Sequence, residues 1–219
     1  MTNAFIFTLG FDEKFIIRSL LRYSLKENDK IVILTYKKSD EKTQKAIKTI
    51  ESIVNSFPNK IDIIIEELDV KEVMNSIKKT ISILKTIADS NNIIVNLSGG
   101  MRMLCYIVLL SCILYLKMRP ELNLKIEVEL EDFSGVYEIP SSLLKLPSII
   151  ISEEKTIILK EIQNGSNTII ELSKKLNKDE TTLRRHIYDL EKIGLINVKK
   201  RKPLYFEINN IGNIITDLF

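Results

Sequence analysis

Apolar residues recur along the first 140 positions with two alternating periods. The short runs Ala4–Thr8, Ile31–Leu34, Ile61–Leu68 and Asn92–Leu97 have the length and β-branched content of buried strands. Between them the spacing becomes helical. Glu13–Lys26 carries Phe15, Ile16, Leu20, Leu21 and Tyr23; Asp40–Phe57 carries Ile47, Ile50, Ile53, Val54 and Phe57; Val70–Ala88 carries Val73, Ile77, Ile81, Leu84 and Ile87. Met101–Met118 is apolar nearly throughout and predicts a buried helix. Leu122–Leu130 and Phe133–Ile139 predict a hairpin with Gly135 near its turn. The order β-α-β-α-β-α-β-α-β-β predicts an α/β fold: a Rossmann-like, mainly parallel sheet with strand order 3-2-1-4-5-6 and an antiparallel edge. In that order a ligand crevice opens at the carboxyl ends of strands one and four.

The pattern changes near residue 145. Pro140 and Pro147 bracket a segment that predicts a linker over 140–148, separating a first domain at 1–139 from a second at 149–219. The second domain reads as helix (Glu153–Ile162), helix (Asn167–Leu176), turn, helix (Glu180–Ile193), two strands (Leu195–Val198, Leu204–Ile208) around a basic tip, and a last helix (Asn209–Phe219). That is the order of a winged helix-turn-helix.

Two loops carry three of the seven glycines. Thr8-Leu9-Gly10-Phe11-Asp12 follows strand one, and Asn96-Leu97-Ser98-Gly99-Gly100-Met101-Arg102 follows strand four and opens the apolar helix. Glycine lets a ligand approach the backbone, and a helix N-terminus presents unpaired N–H groups to a phosphate. Ser98 is placed to cap the helix or to donate to a phosphate, and Arg102 adds a forked cation. The expected ligand residues are Thr8, Leu9, Gly10, Phe11, Asn96, Ser98, Gly99, Gly100, Met101 and Arg102. The plain alternative is a tight strand-to-helix turn with Arg102 in solvent.

The third helix of the second domain places Leu183, Ile187, Leu190 and Ile193 on a core stripe, leaving Thr181, Thr182, Arg184, Arg185 and Tyr188 for a DNA groove. The tip Lys199-Lys200-Arg201-Lys202 is suited to gripping phosphates. A solvated helix and turn on a protein-binding winged helix is the competing reading. His186 lies beside the core stripe and reads as packing or DNA-facing.

Composition narrows the chemistry. Lys+Arg 32 against Asp+Glu 29 is too balanced to diagnose nucleic acid by itself. One His and two Cys leave no basis for a zinc site, and Cys105 and Cys112, about 10 Å apart along a helix, cannot bridge each other. They read as small core residues of a reducing compartment. Neither G-x-G-x-x-G nor a P-loop occurs, so no dinucleotide cofactor or NTP hydrolysis is expected. No basic region precedes the first apolar run, and Met103–Leu116 would span about 21 Å as a helix, short of a bilayer core of about 30 Å. The expectation is a soluble cytoplasmic protein with no membrane contact.

Thr8-Leu9-Gly10-Phe11-Asp12-Glu13-Lys14-Phe15, Leu97-Ser98-Gly99-Gly100-Met101-Arg102 and the appended winged helix together resemble the archaeal CRISPR-associated transcriptional regulators of the Csa type. Those join a CARF domain to a DNA-binding winged helix. The resemblance covers essentially the whole chain, and its most specific part is Ser-Gly-Gly-Met-Arg. It implies a homodimer that binds a cyclic oligoadenylate, above all cyclic tetra-adenylate, across a two-fold axis and binds double-stranded promoter DNA. Some CARF domains cleave their ligand with the help of a lysine. None stands in this motif, and nothing in the sequence places Lys14 or Lys37 at the site, so a sensor without catalytic residues is expected. A ring nuclease and a protein-binding adaptor remain the alternatives.

Overall fold

The computed structural model describes residues 2–37, 40–59, 61–146 and 149–218. The chain forms two compact units, Met1–Pro147 and Ser148–Phe219.

The first unit is a Rossmann-like α/β sandwich. Its strands are β1 (Asn3–Leu9), β2 (Lys30–Tyr36), β3 (Asp62–Leu68), β4 (Asn92–Asn96), β5 (Leu124–Glu129) and β6 (Val136–Ile139). They lie in the order β3-β2-β1-β4-β5-β6, parallel except for β6, which returns antiparallel on β5. The central strands β1, β2 and β4 are covered on both faces, which is why they read as continuous apolar runs. The helices are α1 (Lys14–Tyr23), α2 (Glu41–Asn55), α3 (Val73–Thr86) and α4 (Arg102–Met118). One core layer packs Phe5, Phe7, Leu9, Ile31 and Ile33 against α1 and α2. The other packs Ile6, Val32, Leu34 and Val95 against α3 and α4. Asp40 starts α2 by accepting from the amide of Thr43 at 2.9 Å, which satisfies one of the unpaired N–H groups of the first turn.

Two expectations change here. The segment read as a linker begins with a short helix, α5 (Ser141–Lys145), whose Leu144 is buried in the core beside β5 and α4. Its apolar residue gains more from that burial than an extended tether would allow. Pro147 and Ser148, also part of that reading, lie outside the described residues. Second, α4 is not buried all round. Met103, Tyr106, Leu110, Leu114 and Met118 are exposed in a stripe three to four residues apart, while Leu104, Ile107, Val108, Ser111, Cys112, Tyr115 and Leu116 face the core. An all-apolar helix conceals which face is inward, because no polar stripe marks the outside.

The second unit contains α6 (Glu153–Gln163), α7 (Ile169–Leu176), α8 (Glu180–Lys192), β7 (Ile196–Arg201), β8 (Leu204–Ile208) and α9 (Asn210–Asp217). It is a helix-turn-helix followed by a β-hairpin wing. A capping box opens α7, in which the Thr168 hydroxyl accepts from the Glu171 amide and the Glu171 carboxylate accepts from the Thr168 amide. Asn177 ends that helix in the left-handed conformation, and Asp179 caps α8 by accepting from Thr182. The wing is joined to α7 through the Phe206 amide, which donates to Asn167 O at 3.1 Å, and a bridge between Thr168 and Tyr205.

Candidate functional site

A cavity of about 590 Å³ opens at the carboxyl ends of β1, β2, β4 and β5. That size is ordinary for a small-molecule site. Gly10, Phe11 and Asp12 line it from the loop after β1, and Phe15 from α1. Tyr36 ends β2. Ser98, Gly99, Gly100, Met101 and Arg102 form the wall from β4 into α4, and Glu131 and Phe133 come from the turn between β5 and β6.

Seven of the ten expected ligand residues therefore meet at one place: Gly10, Phe11, Ser98, Gly99, Gly100, Met101 and Arg102. The side chains of Thr8, Leu9 and Asn96 do not reach it. All three are buried beneath the loops, because β1 and β4 are central strands. Thr8 donates its hydroxyl to Gly99 O at 2.6 Å, and Asn96 donates from Nδ2 to Glu127 Oε1 at 3.0 Å.

The glycines also let the two loops approach each other. A Cβ on Gly99 would lie 2.8 Å from Thr8 O, and Gly100 holds φ at +87 with its own Cβ position 3.3 Å from the Leu9 carbonyl carbon. The two loops can pack backbone to backbone only with glycine at these positions. The Cys105 thiol, half-buried rather than in the core, donates to Gly99 O at 3.3 Å. Burial pushes its pKa up, which keeps the proton on sulfur.

Ser98 does not cap α4. The residue at the cap is Met101, and no side chain there accepts from the first turn. Ser98 Oγ instead accepts from the Glu129 amide at 2.8 Å, so the serine's own hydrogen is free for another acceptor. The uncapped first turn of α4 forms part of the cavity wall, where its N–H groups and positive potential suit an anion. Arg102 is exposed and makes no hydrogen bond or ion pair among the described residues. Phe11 stands 67% exposed at the rim.

A carboxylate cluster lies behind this wall. Glu127 accepts from Ser19 at 3.0 Å, Arg22 at 2.9 Å, Tyr23 at 2.8 Å and Asn96 at 3.0 Å. Burial alone would raise its pKa, but these donors outweigh that and hold its carboxyl below the usual range. Glu129, fully buried, pairs with Arg18 at 2.5 Å and Arg22 at 3.2 Å. The Arg18 guanidinium also lies 5.0 Å over the Phe133 ring, whose centroid is 5.2 Å from that of Phe15. The cluster thus fixes α1 and the aromatic wall to the end of β5.

Asp12, Phe15, Tyr36, Glu131 and Phe133 were not expected as ligand residues. The aromatic Phe133 within the polar run Glu131-Asp132-Phe133-Ser134-Gly135 was the available signal. Lys14 is not among the lining residues and lies 3.9 Å from Asp12 Oδ2, whereas Lys37 pairs with Asp69.

The second unit presents a polar surface on α8. Thr181, Arg184, Arg185 and Tyr188 are exposed and Thr182 is half-buried, while Leu183, Ile187 and Leu190 face inward. Arg184 is 3.6 Å from Glu180, and Arg185 has no ion pair among the described residues. His186 is buried, with Nε2 3.3 Å from Glu154, and is not on the exposed face. The wing differs from expectation. Lys199, Lys200 and Arg201 are in β7, with a bulge between Val198 and Lys200, and only Lys202 stands in the turn before Pro203. Ladder pairing with Leu204 and Tyr205 carries the strand through the basic run. Lys199 pairs with Glu207 at 3.4 Å and Arg201 with Glu191 at 3.1 Å, leaving Lys200 and Lys202 as the unpaired cations of the wing among the described residues.

Among the described residues, no group of His, Cys, Asp and Glu is arranged to hold a metal, and no helix is long and apolar enough to cross a membrane.

Comparison with known proteins bears on both units. The model of the Csa3 CRISPR-associated Rossmann-like domain matches residues 3–140. The model of the bacterial regulatory protein arsR family matches residues 152–198. The "CRISPR locus-related putative DNA-binding protein Csa3" of Saccharolobus solfataricus is 28% identical over 97% of this chain and 87% of its own length.

Proposed function

Since the chain belongs to the family defined by the Csa3 CRISPR-associated Rossmann-like domain, we propose that it is a ligand-controlled transcriptional regulator of CRISPR loci. The first unit senses a cyclic oligoadenylate, cyclic tetra-adenylate in the first instance, and the second binds double-stranded promoter DNA. The observation that carries this reading is the convergence on one cavity of two glycine loops, the uncapped α4 N-terminus and Arg102, unpaired among the described residues, in a chain that also bears an arsR-type helix-turn-helix. A phosphodiester matches the donors of the cavity, and Phe11, Phe15 and Phe133 give its bases an apolar surface.

The exposed α4 stripe supports a homodimer. A stripe of exposed apolar side chains along one helix marks an interaction surface, and a ligand with two-fold symmetry suits a two-fold protein pair. The name of the Saccharolobus relative includes DNA binding, and the exposed α8 face with Arg185 and Tyr188 has the chemistry for it. The reading is of a sensor: ligand incubated with the protein is expected to stay intact.

A gel shift against the promoter beside the protein's own gene, with and without cyclic tetra-adenylate, tests the whole reading. A ligand-dependent change in DNA affinity supports it. Absence of DNA binding in both conditions favours the adaptor, and disappearance of the ligand favours the nuclease.

A further inference from the structure

The cavity contains a free carboxylate, a group that a polyanion binder should avoid. Glu131 lines it from the β5–β6 turn and makes no hydrogen bond or ion pair among the described residues. The other acid of the lining, Asp12, is engaged locally: it accepts from the Lys14 amide at 3.0 Å and lies 3.9 Å from the Lys14 ammonium. Arg102 across the same cavity is also unpaired. Among the described residues the site therefore offers one free cation and one free carboxylate, not a uniform positive field. A phosphate placed at Arg102 and the α4 N-terminus feels repulsion from Glu131 unless the ligand interposes a donor.

Resting on the reading of the cavity as a cyclic oligonucleotide site, we propose that Glu131 is a specificity-determining residue that accepts a hydrogen bond from a ribose 2′-hydroxyl. In a 3′–5′ linked ring the 2′-hydroxyl is the sugar's remaining donor, and it is the donor nearest the phosphate. The base amine lies farther out, toward the aromatic wall. An acidic side chain on a ribose hydroxyl is a recurrent solution in nucleotide-binding Rossmann folds. The carboxylate thus selects ribonucleotide over deoxyribonucleotide rings. It does so in two ways, by accepting a hydrogen bond from the hydroxyl and by repelling the phosphate of a ring that lacks it. Its neighbour Asp132 holds the turn by accepting from the Ser134 amide at 2.9 Å, which presents Glu131 without using it.

Calorimetry at fixed salt tests this with three probes: cyclic tetra-adenylate, its 2′-deoxy analogue, and the cyclic tetra-inosine analogue that lacks the base amine. Wild type should prefer the ribose ring over the deoxy ring by roughly 10- to 150-fold, the range of a hydrogen bond to a charged group. Glu131→Gln and Glu131→Ala should lose most of that preference. Glu131→Ala should also bind the deoxy ring more tightly than wild type does, because the repulsion is gone. Glu131 is exposed on a turn, so both variants should fold, and their circular dichroism and thermal midpoints should match wild type. An undiminished ribose preference in Glu131→Ala overturns the proposal. So does a substitution that changes only the discrimination between adenine and inosine, since Glu131 then reads the base. Failure of wild type to bind any of the three rings overturns the cyclic oligonucleotide reading and this proposal together.

Discussion

The Glu129 amide donates to Ser98 Oγ at 2.8 Å, tying the last residue of β5 to the loop that opens α4. The bond fixes the serine as an acceptor toward the protein, so its hydrogen is available to a ligand. Ser98→Ala should therefore weaken ligand binding by about 10- to 150-fold, as for a lost hydrogen bond to an anion. Arg102→Ala should cost a similar factor, and the two losses should add less than fully if both groups hold one phosphate. Isothermal titration of the single and double variants checks this, and wild-type affinity in all three would remove the loop from the site.

Gly100 distinguishes ligand approach from loop packing. Its φ of +87 and its position against Leu9 mean that Gly100→Ala strains the backbone even without ligand. The expected cost is on the order of 1–3 kcal/mol, visible as a lower urea midpoint of the free protein. A variant with wild-type stability and reduced ligand affinity would show instead that the glycine serves the ligand alone.

Glu127 makes stability depend on acid. Its folded pKa is held below the ordinary 4.5, so its contribution is complete above that value and disappears as pH falls through the depressed one. Glu127→Gln should be less stable at neutral pH by on the order of 3 kcal/mol, since it leaves Arg22 without one of its two carboxylates. Its stability should then change less than that of wild type between neutral pH and about pH 3. Chemical denaturation across that range is the measurement, and parallel curves for the two proteins would argue against the assignment.

Leu110→Glu places a charge in the middle of the exposed α4 stripe. Because Leu110 faces away from the core, the fold should lose little stability, within about 0.5 kcal/mol. Light scattering should report a dimer for wild type and a monomer for the variant. A wild type that is monomeric at every concentration, with and without ligand, would leave the stripe to another partner.

The wing predicts unequal roles for four adjacent cations. Lys200 and Lys202 are unpaired among the described residues, whereas Lys199 and Arg201 each have an acidic partner. Each phosphate contact adds about 0.9 to the salt slope on B-DNA. Replacing Lys200 and Lys202 with Ala should reduce the slope by nearly two such contacts, and the Lys199 and Arg201 pair by less. Fluorescence anisotropy over a salt series measures this. Equal losses would mean that the ion pairs open on DNA.

The sheet was legible because its central strands are buried on both faces, leaving unbroken apolar runs such as Phe5-Ile6-Phe7. The two glycine loops were legible for a related reason, since short turns after strands one and four have one place to go. The rest of the cavity was not. Glu131 and Phe133 reach it through the register of β5 on β4, with Ile93 opposite Leu124; the strand order was expected, but no local pattern states that register. Glu127 and Glu129 alternate with apolar residues as solvent-facing positions would. They are buried because Arg18 and Arg22, more than a hundred residues earlier, come to meet them. Lys199–Arg201 read as a loop on composition, but strand pairing ignores charge when side chains can point outward.

The seam between wing and α7 has a consequence for the entropy of recognition. Phe206 and Thr168 extend the hairpin onto the start of α7, and Asn167 Nδ2 donates to Tyr205 Oη at 3.2 Å. A free-standing hairpin would have to surrender backbone freedom on meeting a duplex. Here the bonds to Asn167 and Thr168 restrict that freedom before a duplex arrives, and the outer reach of Lys200 and Lys202 is then immobilised at about 0.5–1.5 kcal/mol per side chain. A stiff wing of this kind favours an encounter that succeeds or fails quickly, and it makes poorly shaped sites dissociate rather than be accommodated.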